Sequence, residues 1–323
     1  MKNALTFAET GALQASCLPL EAFGPQTNHP FLAFDLSGSN GSLNNWLSRL
    51  PCPVIGIGDG LAASACDVVL ETDKKLDIIT NNIEAAPITA MTLVQHLRAI
   101  EGLPMDKALT MESLAYGTVQ QGPEFMAWLK SYEGGRLIAE PGPPIISDID
   151  GDTLHIRINR PKNYNAIGTE VRDALCEILD MALINDGIQR VELTGNGKTF
   201  SIGGAIQEFG EVTDPATAHW IRSIRLPATR LAQLSDRLHI HVNGAAIGAG
   251  AEICGFAKQV TASEKAWFQL PELKYGLIPG AGGTVALSHR IGRQRTGYMA
   301  LSMEKVSVKT AMDWGLVDEV VYV

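Results

Sequence analysis

Asn243-Gly-Ala-Ala-Ile-Gly-Ala-Gly-Ala-Glu252 is the stretch on which the reading of this chain turns. Leu238 to Val242, just before it, has the apolar spacing of a buried strand, and the small residues that follow lead from that strand into a helix. A strand-to-helix turn built of glycine and alanine lets backbone N–H groups at the helix start point at an anion or at a developing oxyanion. Two further passages share the character: Phe200-Ser-Ile-Gly-Gly-Ala-Ile206, and Phe268-Gln-Leu-Pro-Glu272 running on to Gly276-Leu-Ile-Pro-Gly-Ala-Gly-Gly-Thr284. Each alone serves packing as readily as ligand binding. Two such turns, however, can share one oxygen.

Outward from these turns the pattern is that of an α/β unit. Ile145 to Asn159 leans apolar around Asp150-Gly151-Asp152, as a hairpin does. Thr169 to Leu183 carries Val171, Leu175, Ile178, Leu179 and Ala182 on one helical face, and Val191 to Thr194 reads as a short strand. Strand, helix and strand in that order predict a right-handed crossover with parallel pairing, continued by strands at 238–242 and 259–262.

Upstream, Glu140-Pro-Gly-Pro-Pro144 forbids helix and breaks any central strand, so a boundary is expected there, between a first unit, 1–140, and a second, 145–323. The length of 323 residues suits two units. Phe31 to Leu36, Leu43 to Leu50 and Pro53 to Ile57 read as strand, helix and strand. Beyond Ile78 the first unit turns helical, with an apolar stripe of Met91, Leu93, Val94, Leu97 and Ile100 and a second segment opening at Gly122-Pro123. No titratable cluster of this unit reads as catalytic.

A composition of 46% hydrophobic and 19% charged residues excludes wholesale disorder. The formal charge of −9, with no basic stripe, argues against nucleic acid as a partner. The imbalance lies mostly in the first 144 residues, which hold 8 basic and 15 acidic side chains. Five scattered cysteines, without Cys-x-x-Cys spacing, read as buried thiols, and neither a signal peptide nor a run of 18 apolar residues is present, so the expectation is a cytoplasmic protein with no membrane partner. His239 and His241 share one face of a strand, but no third ligand stands at motif spacing, so no metal is expected. Ser201 lacks the Gly-x-Ser-x-Gly elbow of a hydrolase, and the glycine passages lack the opening of a dinucleotide fold.

Taken in order, these passages resemble the crotonase superfamily, the enoyl-CoA hydratases and isomerases that act on acyl-CoA thioesters. The likeness runs from about Asp148 to Val321. It rests on Asn159-Arg-Pro-Lys-Asn-Tyr-Asn-Ala166, the Phe200-Ser and Asn243-Gly turns, Pro271-Glu272, Ile278-Pro-Gly-Ala-Gly-Gly-Thr284 and Trp314-Gly-Leu-Val-Asp-Glu-Val320. The resemblance implies a crotonase-like ββα spiral core with oxyanion donors at the N–H of Gly204 and of Ala249. At the second position alanine replaces the usual glycine, which adds a methyl and narrows φ. It implies Glu252 and Glu272 as the acid/base pair, Glu252 activating water and Glu272 serving the α carbon, with Ala166, Ile202, Gly203, Ile206 and Gly248 lining the substrate site. Away from the resemblance, Glu252 is equally a first-turn helix carboxylate and Glu272 a salt-bridge partner. Trp267 and Trp220 are candidates to narrow the acyl pocket, and Arg160, Lys162 and Lys198 to meet the nucleotide phosphates.

The activity implied is hydration of a 2-enoyl-CoA, with coenzyme A as part of the substrate, no separate cofactor, and a homo-oligomer, trimer or hexamer. The rivals are double-bond isomerisation, thioester or C–C hydrolysis, and a non-catalytic subunit that binds CoA esters. Family members usually continue past Gly-Leu-Val-Asp into helices that cover the acyl site. Here residues 79–131 look like those helices, and Cys52-Pro-Val-Ile-Gly-Ile-Gly-Asp-Gly60 looks like the strand and turn at Ile240 to Gly244. The expectation is a shortened crotonase-like half whose helices dock on the second unit.

Overall fold

The structure is a computed structural model, and it describes residues 4–322. The first unit opens with α1 (Phe7–Ala15), whose cap is a reciprocal pair: Glu9 N–H donates to Thr6 Oγ1 and the Thr6 N–H to Glu9. Three short strands follow, β1 (Leu32–Asp35), β2 (Val54–Ile57) and β3 (Val68–Leu70), with α2 (Asn44–Leu47) between the first two. They pair in parallel in the order β1-β2-β3. Four helices complete the unit: α3 (Leu76–Ala85), α4 (Pro87–Ala99), α5 (Met105–Val119) and α6 (Pro123–Ser131). Proline at the first position of α4 and of α6 suits the helix start, where its missing N–H is no loss. Glu124 of α6 then accepts from the N–H groups of Ile88 and Thr89, capping α4 from outside.

In the second unit, β4 (Ile145–Asp150) and β5 (Thr153–Ile158) form the expected hairpin. After α7 (Thr169–Ile184) the chain returns as β6 (Arg190–Gly195), parallel to β5, then passes through α8 (Pro215–Arg225) and α9 (Pro227–Gln233) to β7 (Leu238–Val242). Asp214 caps α8 through the N–H groups of Ala216 and Thr217. Next come β8 (Ala245–Ile247), α10 (Ala249–Cys254), β9 (Gln259–Ser263) and β10 (Trp267–Gln269). The chain closes with α11 (Gly283–Ile291), α12 (Arg293–Ser302), β11 (Val306–Ser307), α13 (Val308–Trp314) and β12 (Glu319–Val321). The large sheet runs β12-β9-β7-β6-β5-β4, parallel except for β4, and a small sheet runs β11-β10-β8. β8 therefore leaves the sheet of β7 for a second layer, and the Gly248 turn lies where the two layers meet.

One apolar core continues from α3, α4 and α5 into the large sheet and its helices, while a smaller one lies within residues 23–66. The helices of the first unit lie directly on the second: α5 packs against α8, α9 and α11, α4 against α11 and α12, and α3 against α12. Polar contacts fasten the same face. Asp67, buried between the units, accepts from Arg98 at 2.5 Å and from Arg293 at 3.2 Å, and Asn82 Nδ2 donates to the carbonyls of Leu301 and Ser302. Four cysteines are buried as expected; Cys17 is exposed, on the surface after α1. Among the described residues no helix is long and apolar enough to cross a membrane.

Candidate active site

A cavity of about 720 Å³ opens beside the Gly248 turn, lined by residues of both units. Glu252, Glu272, Gly204, Ala249, Gly248, Ile202 and Ile206 all line it. Gly203 does not line it but sits directly behind, and Ala166 lines a separate cavity of about 300 Å³ formed with Leu137 to Glu140. Five of the expected residues thus line the cavity with the two carboxyls, while Ala166 follows the turn at Tyr164 and Asn165, both at positive φ.

Two glycines bring the turns together. Gly203 has φ +89°, and a Cβ there would lie 2.7 Å from the Ile247 carbonyl oxygen and 3.1 Å from the Ala249 nitrogen. Gly248 has φ +51°, and a Cβ would come within 2.6 Å of Glu272 Oε1. Both positions combine a left-handed backbone with contact that no side chain tolerates. The 200–204 passage is pinned from both sides: Ile247 N–H donates to the Ser201 carbonyl at 2.9 Å, Ile167 N–H to the Gly203 carbonyl at 2.7 Å, and Ser201 Oγ to the Asn165 carbonyl. Among the described residues the N–H groups of Gly204 and Ala249 have no acceptor in the protein. Ala249 opens α10, where the first N–H groups lack intrahelical partners. Its φ is not positive, so the methyl is carried without strain; the adjacent Gly248 takes the turn.

Glu252 stands on α10 and is buried. Its Oε2 accepts from the N–H groups of Ala281 at 2.6 Å and Gly283 at 2.8 Å, in the loop that leads into α11. Burial, with the charge of Glu112 beside it, pushes this carboxyl up to about 8, against the pull of the two amides. Glu272 begins a one-turn helix after Pro271, placed by the Gly248 N–H donating to the Gln269 carbonyl at the end of β10. Its Oε2 is buried without a partner among the described residues, and burial, reinforced by the charge of Glu252, holds it well above the usual carboxylate range. Two nearby carboxyls are thus made unequal by their surroundings: one is supported by two donors, the other by none on Oε2. The salt-bridge alternative for Glu272 finds no cationic partner among the described residues.

Sequence reasoning expected helices of the first unit to dock over the site but read no titratable cluster there as catalytic, and the structure adds side chains of α5 to the site. Tyr116 and Gln120, from α5 and its end, line the cavity. Burial lifts the Tyr116 hydroxyl to about 12, and its ring lies under the Arg222 guanidinium at 4.1 Å. Glu112, one helical turn before Tyr116, is fully buried and accepts from Gly282 N–H at 2.7 Å, Thr284 N–H at 3.0 Å and Thr284 Oγ1 at 2.5 Å. The available signal was a glutamate on the apolar side of a helix, four residues from a tyrosine, and it gains meaning only when α5 is docked. Other expectations are also corrected. Trp220 is 62% exposed on α8, and Trp267 lies under Lys305; neither lines the cavity. Arg160 is buried and spends its guanidinium on Glu170 and on the carbonyls of Gly142, Pro143 and Asn159, which leaves it unsuited to a phosphate, while Lys162 and Lys198 are exposed. His239 meets Gln259, and His241 lies 3.8 Å from Glu192, away from the cavity.

This stacking of a parallel sheet and a second small sheet, with glycine turns opening on one cavity, is the crotonase fold. The sequence profile described as enoyl-CoA hydratase/isomerase matches residues 148–322, more than half of the chain, and the chain belongs to that family. It is 35% identical to the 2,3-dehydroadipyl-CoA hydratase of Escherichia coli (strain K12), over 52% of this chain and 65% of that protein. It is 31% identical to the mitochondrial enoyl-CoA hydratase of Pongo abelii, over 51% and 56%. The chain thus spans less than two thirds of the length of either relative. The solved enoyl-CoA hydratase of Thermoplasma volcanium GSS1 aligns at 33% identity and a TM-score of 0.50, over 56% of this chain and 72% of that one. An enoyl-CoA hydratase subunit I from Geobacillus kaustophilus HTA426 aligns at 30% and 0.51, over 55% and 69%.

Proposed function

We propose that the chain adds water to the conjugated double bond of a 2-enoyl thioester of coenzyme A. The observation that carries this reading is the inequality of Glu252 and Glu272 beside two amides without acceptors. The N–H groups of Gly204 and Ala249 take the thioester oxygen and hold the negative charge that moves onto it. Glu252, which its two donors make the easier to ionise, accepts a proton from water as the water oxygen bonds to the β carbon. Glu272 keeps its proton and delivers it to the α carbon as the enolate collapses. Atoms balance as one water added across the double bond. The hydratase and isomerase names of the relatives support the class, and the retention of both carboxyls supports hydration over isomerisation, which needs only one.

The same reading takes a homo-oligomer, trimer or hexamer, in the cytoplasm, with no separate cofactor. It takes the first unit as a shortened crotonase-like half that covers the site. The parallel order β1-β2-β3 supports this, since β6, β7 and β9 are parallel neighbours in the same sequential order.

The test is turnover of crotonyl, branched and cyclic enoyl-CoA esters by Glu252→Gln and Glu272→Gln. Hydration predicts that each loses about 10² to 10⁴ in kcat. Loss with Glu272→Gln alone would replace hydration by isomerisation. Release of free coenzyme A by the parent protein would favour hydrolysis, and no turnover of any ester a binding subunit.

A further inference from the structure

The loop between Gly280 and Thr284 is a strip of four consecutive amides shared by two carboxylates. Ala281 and Gly283 donate to Glu252 of the second unit; Gly282 and Thr284 donate to Glu112 of the first. Gly282 at φ +99° turns the strip and Gly283 and Thr284 open α11, where first-turn N–H groups lack intrahelical partners, so a carboxylate gripping one set fixes the loop that presents the other. Glu112 receives only donors. Thr284 Oγ1 donates to it at 2.5 Å and is itself met at 2.8 Å by His96 Nε2, a contact assigned to the Nε2–H tautomer because the one hydroxyl hydrogen of Thr284 goes to Glu112; burial takes the His96 ring down to about 4 and leaves it neutral.

We propose that Glu112 is a positioning residue for Glu252: from α5 of the first unit it latches the Gly280–Thr284 loop, so that the Ala281 and Gly283 amides are held in line with the Glu252 carboxylate. The bonds carry this role to Glu252 alone, and it rests on the acid/base reading above only for its catalytic meaning. Glu112 also acts through its charge. Burial pushes its carboxyl upward, while Thr284, Arg222 and Gly282 pull it back, and its anion in turn lifts Glu252. The groups that face it are Arg222 and His219 from α8, the latter held on Ser113 Oγ at 2.9 Å, His96 from α4 through Thr284, Glu252 from α10, Glu272 from its turn, and Tyr116 on its own helix. Arg222 is spoken for: it donates to the Gly280 carbonyl and lies over Tyr116, so it closes the same loop from the other end.

Two measurements on the full, ligand-free chain test the proposal, and neither needs a substrate, so they remain decisive even if the protein turns over no enoyl-CoA. First, infrared titration of carboxyl bands, with the Glu252 band identified by its loss in Glu252→Gln, should find Glu252 ionising about one to two pH units lower in Glu112→Gln, because a like charge is removed while one acceptor remains. Second, amide hydrogen exchange of residues 281–284 should quicken on the order of tenfold in Glu112→Ala, the weight of one buried hydrogen bond. If Glu112→Gln is insoluble, Thr284→Val, which removes the hydroxyl donor, should quicken exchange of the same amides. Unchanged exchange at 281–284 in the variants that fold overturns the latch, and an unmoved Glu252 titration in a folded Glu112→Gln overturns the charge coupling.

Discussion

Both units of this protein carry parallel strands, β1 to β3 in the first and β5, β6, β7, β9 and β12 in the second, yet it is the second whose turn amides line a cavity with two carboxyls. In the first, Ser39 Oγ accepts the Ala62 N–H after β2 and the Leu70 carbonyl accepts the Gly58 N–H. In the second, Gly248 and Gly203 bring two backbones together so closely that the next residues, Gly204 and Ala249, keep N–H groups facing the cavity. The strands differ in the same sense. β2 is buried along most of its length, as suits a strand enclosed by helices, while β6 and β7 alternate buried and half-buried positions. A strand-and-turn pattern therefore does not make a site. What the second unit adds is a cavity lined by its turn amides and two carboxyls, with Tyr116 and Gln120 of the first unit on its wall.

The comparison is broken most severely by separating its halves. Residues 145–323 expressed alone should be insoluble or inactive, since α11, α12 and the Gly280–Thr284 loop lose α3, α4 and α5. Each large apolar side chain exposed costs about 1.5–3 kcal/mol against a total stability of about 5–15 kcal/mol. A soluble fragment with full turnover would leave the first unit without a covering role. A finer cut is Asp67→Ala, which strands Arg98 and Arg293 between the units and should cost about 3–5 kcal/mol in urea unfolding. The smallest effect sharpens the contrast at the site itself. Folded-state values raised above a carboxyl's ordinary 4.5, to about 8 for Glu252 and well above 4.5 for Glu272, mean stability that is full below pH 4.5 and is lost as pH rises through the raised values. Glu272→Gln cannot ionise, so it should melt a few degrees above the parent at pH 9 and little differently at pH 5, while its turnover is lost.

Much of this was legible along the chain. The hairpin around Gly151, the stripe of α7, the strands at 190–195, 238–242 and 259–263, and the stop at Pro141 to Pro144 all follow from short-range periodicity and from residues that restrict φ. Glu252 and Glu272 were readable through the resemblance to the crotonase family; their local sequence alone allowed a first-turn helix carboxylate and a salt-bridge partner. β8, β10 and β11, of three residues or fewer, are too short to announce themselves and exist because the turns between them are packed together. Glu112 and Tyr116 were missed for a different reason: their helix reads as an ordinary amphipathic one, and their partners lie far along the chain, about 170 residues on for Glu112 and at Arg222 for Tyr116.

The order of residues alone determined which segments curl and which extend, where the chain breaks, and that two carboxyls and two glycine turns stand in the second half, since those are matters of backbone sterics and local side-chain pattern. Only the tertiary structure decided that Glu272 Oε2 is left without a partner among the described residues, that Arg160 is consumed by Glu170 and by carbonyls, and that a helix from the first half grips the loop which meets Glu252. Burial and hydrogen bonding depend on what is brought near in space, and no local pattern encodes the neighbour across a docked face.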